Sequence, residues 1–309
     1  MNSALRRCAI PLMLLLTACS SAPVVAPAPP PAPRPPPKIA LVLGGGAARG
    51  FAHIGVIKML DALEIKPDLI VGTSAGSVAG ALYAAGYDGF RLQEMAFDLD
   101  QSMVADWSVF GKGLIKGQAL EDYVNRAVGN KGIEQLKKPF ACVATQLRTG
   151  QPILFQRGNV GTAVRASSSV PGIFEPVLIN GEEYVDGGLV SPVPVKYARQ
   201  LGADFIIAVD VSSPPGREEA DSKIAVLLKT FTIMGQSIRD AEITQADVVI
   251  TPKLDQIAST DFESKHKAIL AGERAALAAI PQIREKLRAR MDPAPAALPP
   301  ADAVPAPAH

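Results

Sequence analysis

Three cysteines in 309 residues, at positions 8, 19 and 142, are too few to frame a disulfide-stapled scaffold. Three histidines, at 53, 266 and 309, join no His/Cys/Asp cluster of the kind that holds a metal, so no metal is expected. Neither sign of charge is in excess: 31 Lys and Arg face 30 Asp and Glu, which argues against a nucleic-acid partner and against a cationic one. No apolar run reaches the roughly 20 residues that span a bilayer. What the chain does have is 48% apolar content with only 20% charge, ample for a packed core in one large domain or two small ones.

The N-terminus carries a separate message. MNSALRRCAIPLMLLLTACS places Arg6 and Arg7 before an apolar stretch from Cys8 to Leu16, followed by small residues. That is the layout of a secretory signal peptide over residues 1–18. Leu16-Thr17-Ala18-Cys19 resembles the lipobox of bacterial lipoproteins, which implies an acylated Cys19 as the first mature residue; the bland alternative is a free cysteine after an ordinary signal peptide. Ser20 in the next position agrees with sorting to the outer membrane. Lipidation of Cys19 leaves Cys142 alone in the mature chain, with no intramolecular disulfide possible. Residues 19–37 then form a lipidated start and a proline-rich spacer, APVVAPAPPPAPRPPP, whose polyproline geometry reaches on the order of 50 Å. A Pro/Ala-rich tail at 292–309 has the composition of a disordered segment.

Between these ends, over residues 38–291, buried-strand patterns at 39–43, 69–71, 140–144, 205–209 and 248–250 alternate with helical patterns. The helices are expected at 47–63, 75–85, 118–128, 193–201, 223–243 and 265–287, the last broken at Pro281. Such alternation predicts an α/β fold of three layers, α/β/α, with a mostly parallel central sheet. Ligands in such sheets collect beyond the carboxyl ends of strands, where both glycine-rich turns of this chain fall.

The first of these turns, Gly44-Gly45-Gly46-Ala47-Ala48-Arg49-Gly50, occupies the place of a dinucleotide-binding loop but fits it badly. The third glycine of that motif would fall on Arg49, and the second strand ends in Gly72 rather than an acid. No Gly-Lys-Ser/Thr follows, so it is not a P-loop. A row of nearly unencumbered amides at a helix start remains, suited to an anion or an oxyanion. The second turn, Gly72-Thr73-Ser74-Ala75-Gly76, has the G-x-S-x-G form of a nucleophile elbow, and a plain tight turn meets the same pattern.

A serine nucleophile needs a proton acceptor. His309 lies in the tail, and His53 sits among apolar neighbours, where a core or capping role is expected. His266 follows Ser74 in the chain order of α/β-hydrolases, yet several strands precede the serine turn in that fold and only one precedes the serine-bearing strand here. Asp186, delivered by the strand after an Ile179–Glu182 hairpin turn into Gly187-Gly188, is the better candidate; an aspartate that merely holds its turn is the rival.

Together these residues resemble the patatin-like phospholipase family. Gly45 to Gly50 is similar to its Gly-Gly-Gly-x-Arg/Lys-Gly loop, with Ala47 in place of the third glycine. Gly72 to Gly76 is similar to its elbow, Asp186-Gly187-Gly188 to its Asp-Gly-Gly/Ala, and ASSSVPGIFEP at 166–176 to a segment between them. The four blocks occur in order over residues 38–210. The resemblance implies a serine acyl hydrolase with a Ser74–Asp186 dyad, an oxyanion hole of Gly45, Gly46 and Ala47 amides, and no cofactor. Arg49 is expected to orient the loop or meet a lipid phosphate. The implied substrate is a phospholipid or lysophospholipid, and the lipid anchor implies the periplasmic face of the outer membrane. Met103, Trp107, Val109, Phe110, Leu114 and Ile115 either touch a membrane, line an acyl pocket or pack in the core. A catalytically silent lipid- or partner-binding lipoprotein is the alternative of a different class.

Overall fold

The computed structural model describes residues 35–99, 115–212 and 223–291. The signal segment, Cys19, nearly all of the spacer, Met103 to Leu114 and the tail lie outside the described residues.

Eight strands form one sheet: β1 (Ile39–Leu43), β2 (Leu69–Thr73), β3 (Phe140–Gln146), β4 (Pro152–Phe155), β5 (Val177–Ile179), β6 (Glu182–Asp186), β7 (Phe205–Val209) and β8 (Val248–Ile250). Strands β3, β2, β1, β7 and β8 run parallel in that order. Side chains on successive residues point to opposite faces, and here both faces are dry. Leu41, Leu43, Phe205 and Ile207 enter one apolar cluster, and Ala40, Val42, Ile206 and Ala208 enter the other. Helices α1 (Phe51–Ala62), α2 (Ala75–Ala85), α3 (Gly89–Asp98), α4 (Gln118–Ala127), α5 (Val160–Ser168) and α8 (Lys265–Met291) contribute to the first cluster. Helices α6 (Val195–Gln200) and α7 (Lys223–Ile243) lie on the second. The three-layer α/β/α architecture with a mostly parallel sheet is the one the sequence predicts.

The position of the site depends on how β3 shares its edges. Antiparallel β4 covers Cys142 to Thr145 along one edge. The opposite edge is therefore divided between two strands: parallel β2 covers Phe140 to Val143, and antiparallel β6 covers Ala144 to Gln146. These two strands converge end to end, with Thr73 opposite Val143 and Asp186 opposite the adjacent Ala144. Residues more than a hundred positions apart in sequence are thereby brought to a single point.

Three local expectations are revised. The helix expected from Ala47 begins as a 3-10 turn over Ala47–Gly50 and becomes α-helical only at Phe51. Strand β4 and helices α3 and α5 were not expected. Helix α8 continues through Pro281 rather than breaking there. Pro281 and Leu277, whose carbonyl loses its amide partner, both lie on the exposed side, where that carbonyl can turn to water.

Helix α2 crosses close over the end of β1 because Gly76 has no side chain: a Cβ there would stand 2.1 Å from the Leu43 carbonyl oxygen. Gly76→Ala is expected to destabilise the fold by at least about 1–3 kcal/mol through overpacking, read as a lower urea midpoint. An unchanged midpoint would contradict this close crossing.

Candidate active site

Ser74 occupies the sharp corner between β2 and α2 with φ 54° and ψ −125°, a conformation that costs an ordinary residue about 1–3 kcal/mol. Its surroundings hold it there. The Ser74 amide donates to Ser167 Oγ (2.9 Å), and the Ser167 hydroxyl donates to the Val143 carbonyl (2.6 Å). The Ser74 carbonyl accepts from the Ser77 hydroxyl (2.6 Å) and amide (2.7 Å). Gly45 approaches so closely that a Cβ on it would lie 3.3 Å from Ser74 Cβ.

The Ser74 hydroxyl donates to Asp186 Oδ2 at 2.6 Å. Every polar group of Asp186 is engaged: Oδ1 accepts from the Gly188 amide (2.6 Å), its carbonyl accepts from Thr145 Oγ1 (2.8 Å), and its amide donates to the Ser169 carbonyl (2.9 Å). Burial pushes the Asp186 carboxyl up to about 6, while the bonds from Ser74 and Gly188 pull the other way. An aspartate at its ordinary value near 3.9 is a feeble base. One titrating near 6 is closer to what proton abstraction at neutral pH requires.

The glycine-rich turn is placed beside this pair but differs in detail from expectation. The Gly45 amide is not available to an oxyanion, because it donates to the Pro192 carbonyl at 2.9 Å. The amides of Gly46, Ala47 and Ala75 have no acceptor among the described residues. Ala47 and Ala75 line a cavity together with Ser74. Ala75 was missed, although the residue after the serine of a G-x-S-x-G turn is where such a donor is to be sought. Ala47 adopts φ 48°, so alanine occupies a left-handed conformation where the family pattern has glycine.

Arg49 is half-buried and ties the turn to the loop after β8: Nε donates to the Ile257 carbonyl (2.7 Å), and the neighbouring Ala48 amide donates to the Ser259 carbonyl (3.0 Å). His53 is fully buried, and its Nε2 meets the Gly44 carbonyl at 2.8 Å. Burial lowers its pKa to about 4, so it is neutral and Nε2–H is the donor that pins the turn. This is the core role expected of it. His266 is an exposed residue in the first turn of α8 and is not among the groups hydrogen-bonded to Ser74. Cys142 is buried in β3, and burial raises its thiol well above the ordinary range.

The cavity beside Ser74 has a volume of about 200 Å³ and a nearly all-apolar wall, including Phe51, Val78, Leu82, Leu92, Met95, Tyr123 and Phe262. It runs from the serine between α1, α2, α3 and α4. Ile115, the one described residue of the 103–115 apolar set, pairs with Phe174, which lines this cavity. No cluster of His, Cys, Asp or Glu suited to a metal occurs among the described residues, and no described helix is long and apolar enough to cross a membrane.

The family model of the patatin-like phospholipases matches residues 41–199, just over half of the chain and inclusive of both Ser74 and Asp186. The chain belongs to the patatin-like phospholipase family. An uncharacterised NTE family protein of Mycobacterium tuberculosis is 37% identical over 206 residues, covering 65% of this chain and 56% of its own length. A second from the same species is 30% identical over 270 residues, covering 78% and 46%. The mouse patatin-like phospholipase domain-containing protein 6 is 36% identical over 183 residues, 57% of this chain and 14% of that protein. The chain thus spans about half the length of the mycobacterial relatives. Among solved structures, VipD from Legionella pneumophila shares the fold at TM-score 0.56 and 13% identity, covering 81% of this chain and 67% of that one.

A left-handed alanine costs about 1–2 kcal/mol, against about 0.4–1 kcal/mol for the extra unfolded-state freedom of glycine. Ala47→Gly is therefore expected to leave stability unchanged or to raise it by up to about 1.5 kcal/mol, measured by urea denaturation. A loss of about 1 kcal/mol or more, typical of Ala→Gly at a relaxed position, would contradict strain at Ala47.

Proposed function

We propose that this protein is a serine acyl hydrolase, a phospholipase A or lysophospholipase-like esterase, in which Ser74 is the nucleophile and Asp186 the general base. The observation that carries this reading is the 2.6 Å hydrogen bond to a buried Asp186 from the hydroxyl of Ser74, which lines an apolar cavity. As Ser74 attacks the ester carbonyl, Asp186 Oδ2 takes its proton, and the carbonyl oxygen becomes an oxyanion. The amides of Ala47 and Gly46 in the first turn and of Ala75 in the second are the donors for that charge, each worth roughly 3–4 kcal/mol when well aimed. Proton return from Asp186 to the leaving alcohol leaves an acyl-enzyme, and water, activated by the same carboxylate, releases the acid. The apolar cavity favours an acyl chain as its occupant. Family membership, and the phospholipase named in the mouse relative, favour a phospholipid or lysophospholipid as substrate.

Localisation belongs to the same proposal: residues 1–18 are a signal peptide, Cys19 carries lipid, the 19–37 spacer tethers the 38–291 domain, and the protein serves lipid metabolism at the periplasmic face of the bacterial outer membrane.

A fluorophosphonate probe is expected to label Ser74 and to fail on Ser74→Ala. Asp186→Asn is expected to lower ester turnover at least about a hundredfold, whereas His266→Ala stays near wild type. Folded protein that resists the probe would favour the catalytically silent binder, and a dead His266→Ala beside an active Asp186→Asn would overturn the dyad. Cys19→Ser is expected to release the protein from membranes on fractionation; retention would reject the anchor.

A further inference from the structure

Helix α7 carries a buried carboxylate that the chemistry above does not use. Glu242 accepts hydrogen bonds from the Ser191 hydroxyl and, at 3.0 Å on its other oxygen, from the Val193 amide. Burial raises its pKa to about 7, with Ser191 and Val193 opposing the shift, so the carboxylate is held at some cost. The segment it grips faces the site on its other side. The Ser191 carbonyl accepts from Thr73 Oγ1 (2.9 Å), one residue before the nucleophile. The Pro192 carbonyl accepts from the Gly45 amide (2.9 Å), one residue before the free Gly46 and Ala47 amides. The same segment follows Asp186 by only a few residues, and the α7 side chain of Phe231 packs against Gly188.

Three consecutive residues therefore sit between Glu242 and both the nucleophile turn and the oxyanion turn. We infer that Glu242 is a positioning residue for ester hydrolysis: by clamping Ser191 to Val193 it fixes the carbonyls that set the nucleophile turn and the oxyanion turn. The inference rests on the hydrolase reading. Two features favour this over a merely structural role. A filled apolar side chain would serve packing alone at lower desolvation cost. The two carboxylate oxygens also match two donors that flank the Pro192 carbonyl on either side in the chain.

The test uses the full chain and a soluble p-nitrophenyl ester, with fluorophosphonate labelling of Ser74 and a thermal melt to verify folding. Glu242→Ala is expected to lower kcat and the labelling rate about ten- to a hundredfold while KM stays within about twofold, the signature of misplaced reacting groups. Glu242→Gln is expected to stay within about threefold of wild type, since its amide oxygen can accept from Val193 while its NH2 donates to Ser191 Oγ. Wild-type kcat in folded Glu242→Ala, or Glu242→Gln as slow as Glu242→Ala, would overturn the inference. Should Glu242→Ala not fold, Ser191→Ala removes one of the two bonds: a several-fold fall in kcat at unchanged KM supports the clamp, and wild-type kcat overturns it. A wild-type chain that neither labels nor turns over overturns the hydrolase reading and this inference with it.

Discussion

The hydrogen bond between the Ser74 hydroxyl and the Asp186 carboxylate is the constraint to which the rest of the molecule is fitted. It exists because β2 and β6, running in opposite directions, divide one edge of β3 and stop against each other. Neither strand end is free to drift. The Ser167 hydroxyl ties the serine amide to β3, and the Ser169 carbonyl ties the aspartate amide to the turn after α5, so one short segment holds both partners. The sheet supplies the rigidity and that segment supplies the alignment.

Holding this pair has an energetic cost spread over several residues. Ser74 and Ala47 both carry positive φ, and Asp186 is ionised in a place that disfavours charge. Because the folded-state pKa of Asp186 is raised, its proton is bound more tightly in the folded chain than in the unfolded one. The associated stability is fully present below the ordinary carboxylate range and is lost as pH rises through about 6. The deprotonated form, which is the one able to accept a proton, is therefore the less stable, by on the order of 3 kcal/mol. Buried hydrogen bonds through Thr73, Ser191, Pro192 and Gly45 offset such strain by leaving the turns no relaxed alternative.

Much of the frame was legible in the residues themselves. The continuous apolar runs of β1, β2, β3, β7 and β8 read directly as strands buried on both faces, and G-x-S-x-G and Asp-Gly-Gly marked their own turns. Strand β4 was not legible because it opens on Pro152, which argues against a central strand and is tolerated here only because β4 pairs with β3 alone, and α5 was hidden by a serine-rich end that reads as loop. The choice of oxyanion donors turned on a single long-range bond, Gly45 to Pro192, which no local pattern announces. Glu242 was illegible for the same reason: nothing in the α7 sequence says that one of its acids turns inward to meet Ser191. Short-range steric rules write themselves into motifs, whereas pairings across 50 or 150 residues do not.

The central claim is that a buried aspartate activates the serine directly, and the pH dependence of Ser74 phosphonylation measures it. With Asp186 titrating near 6, the second-order labelling rate of the wild-type chain should climb as pH rises through about 6 and level off above it, and Asp186→Asn should lack that titration. A wild-type rate that is flat across this range, or the same titration persisting in Asp186→Asn, would contradict the account.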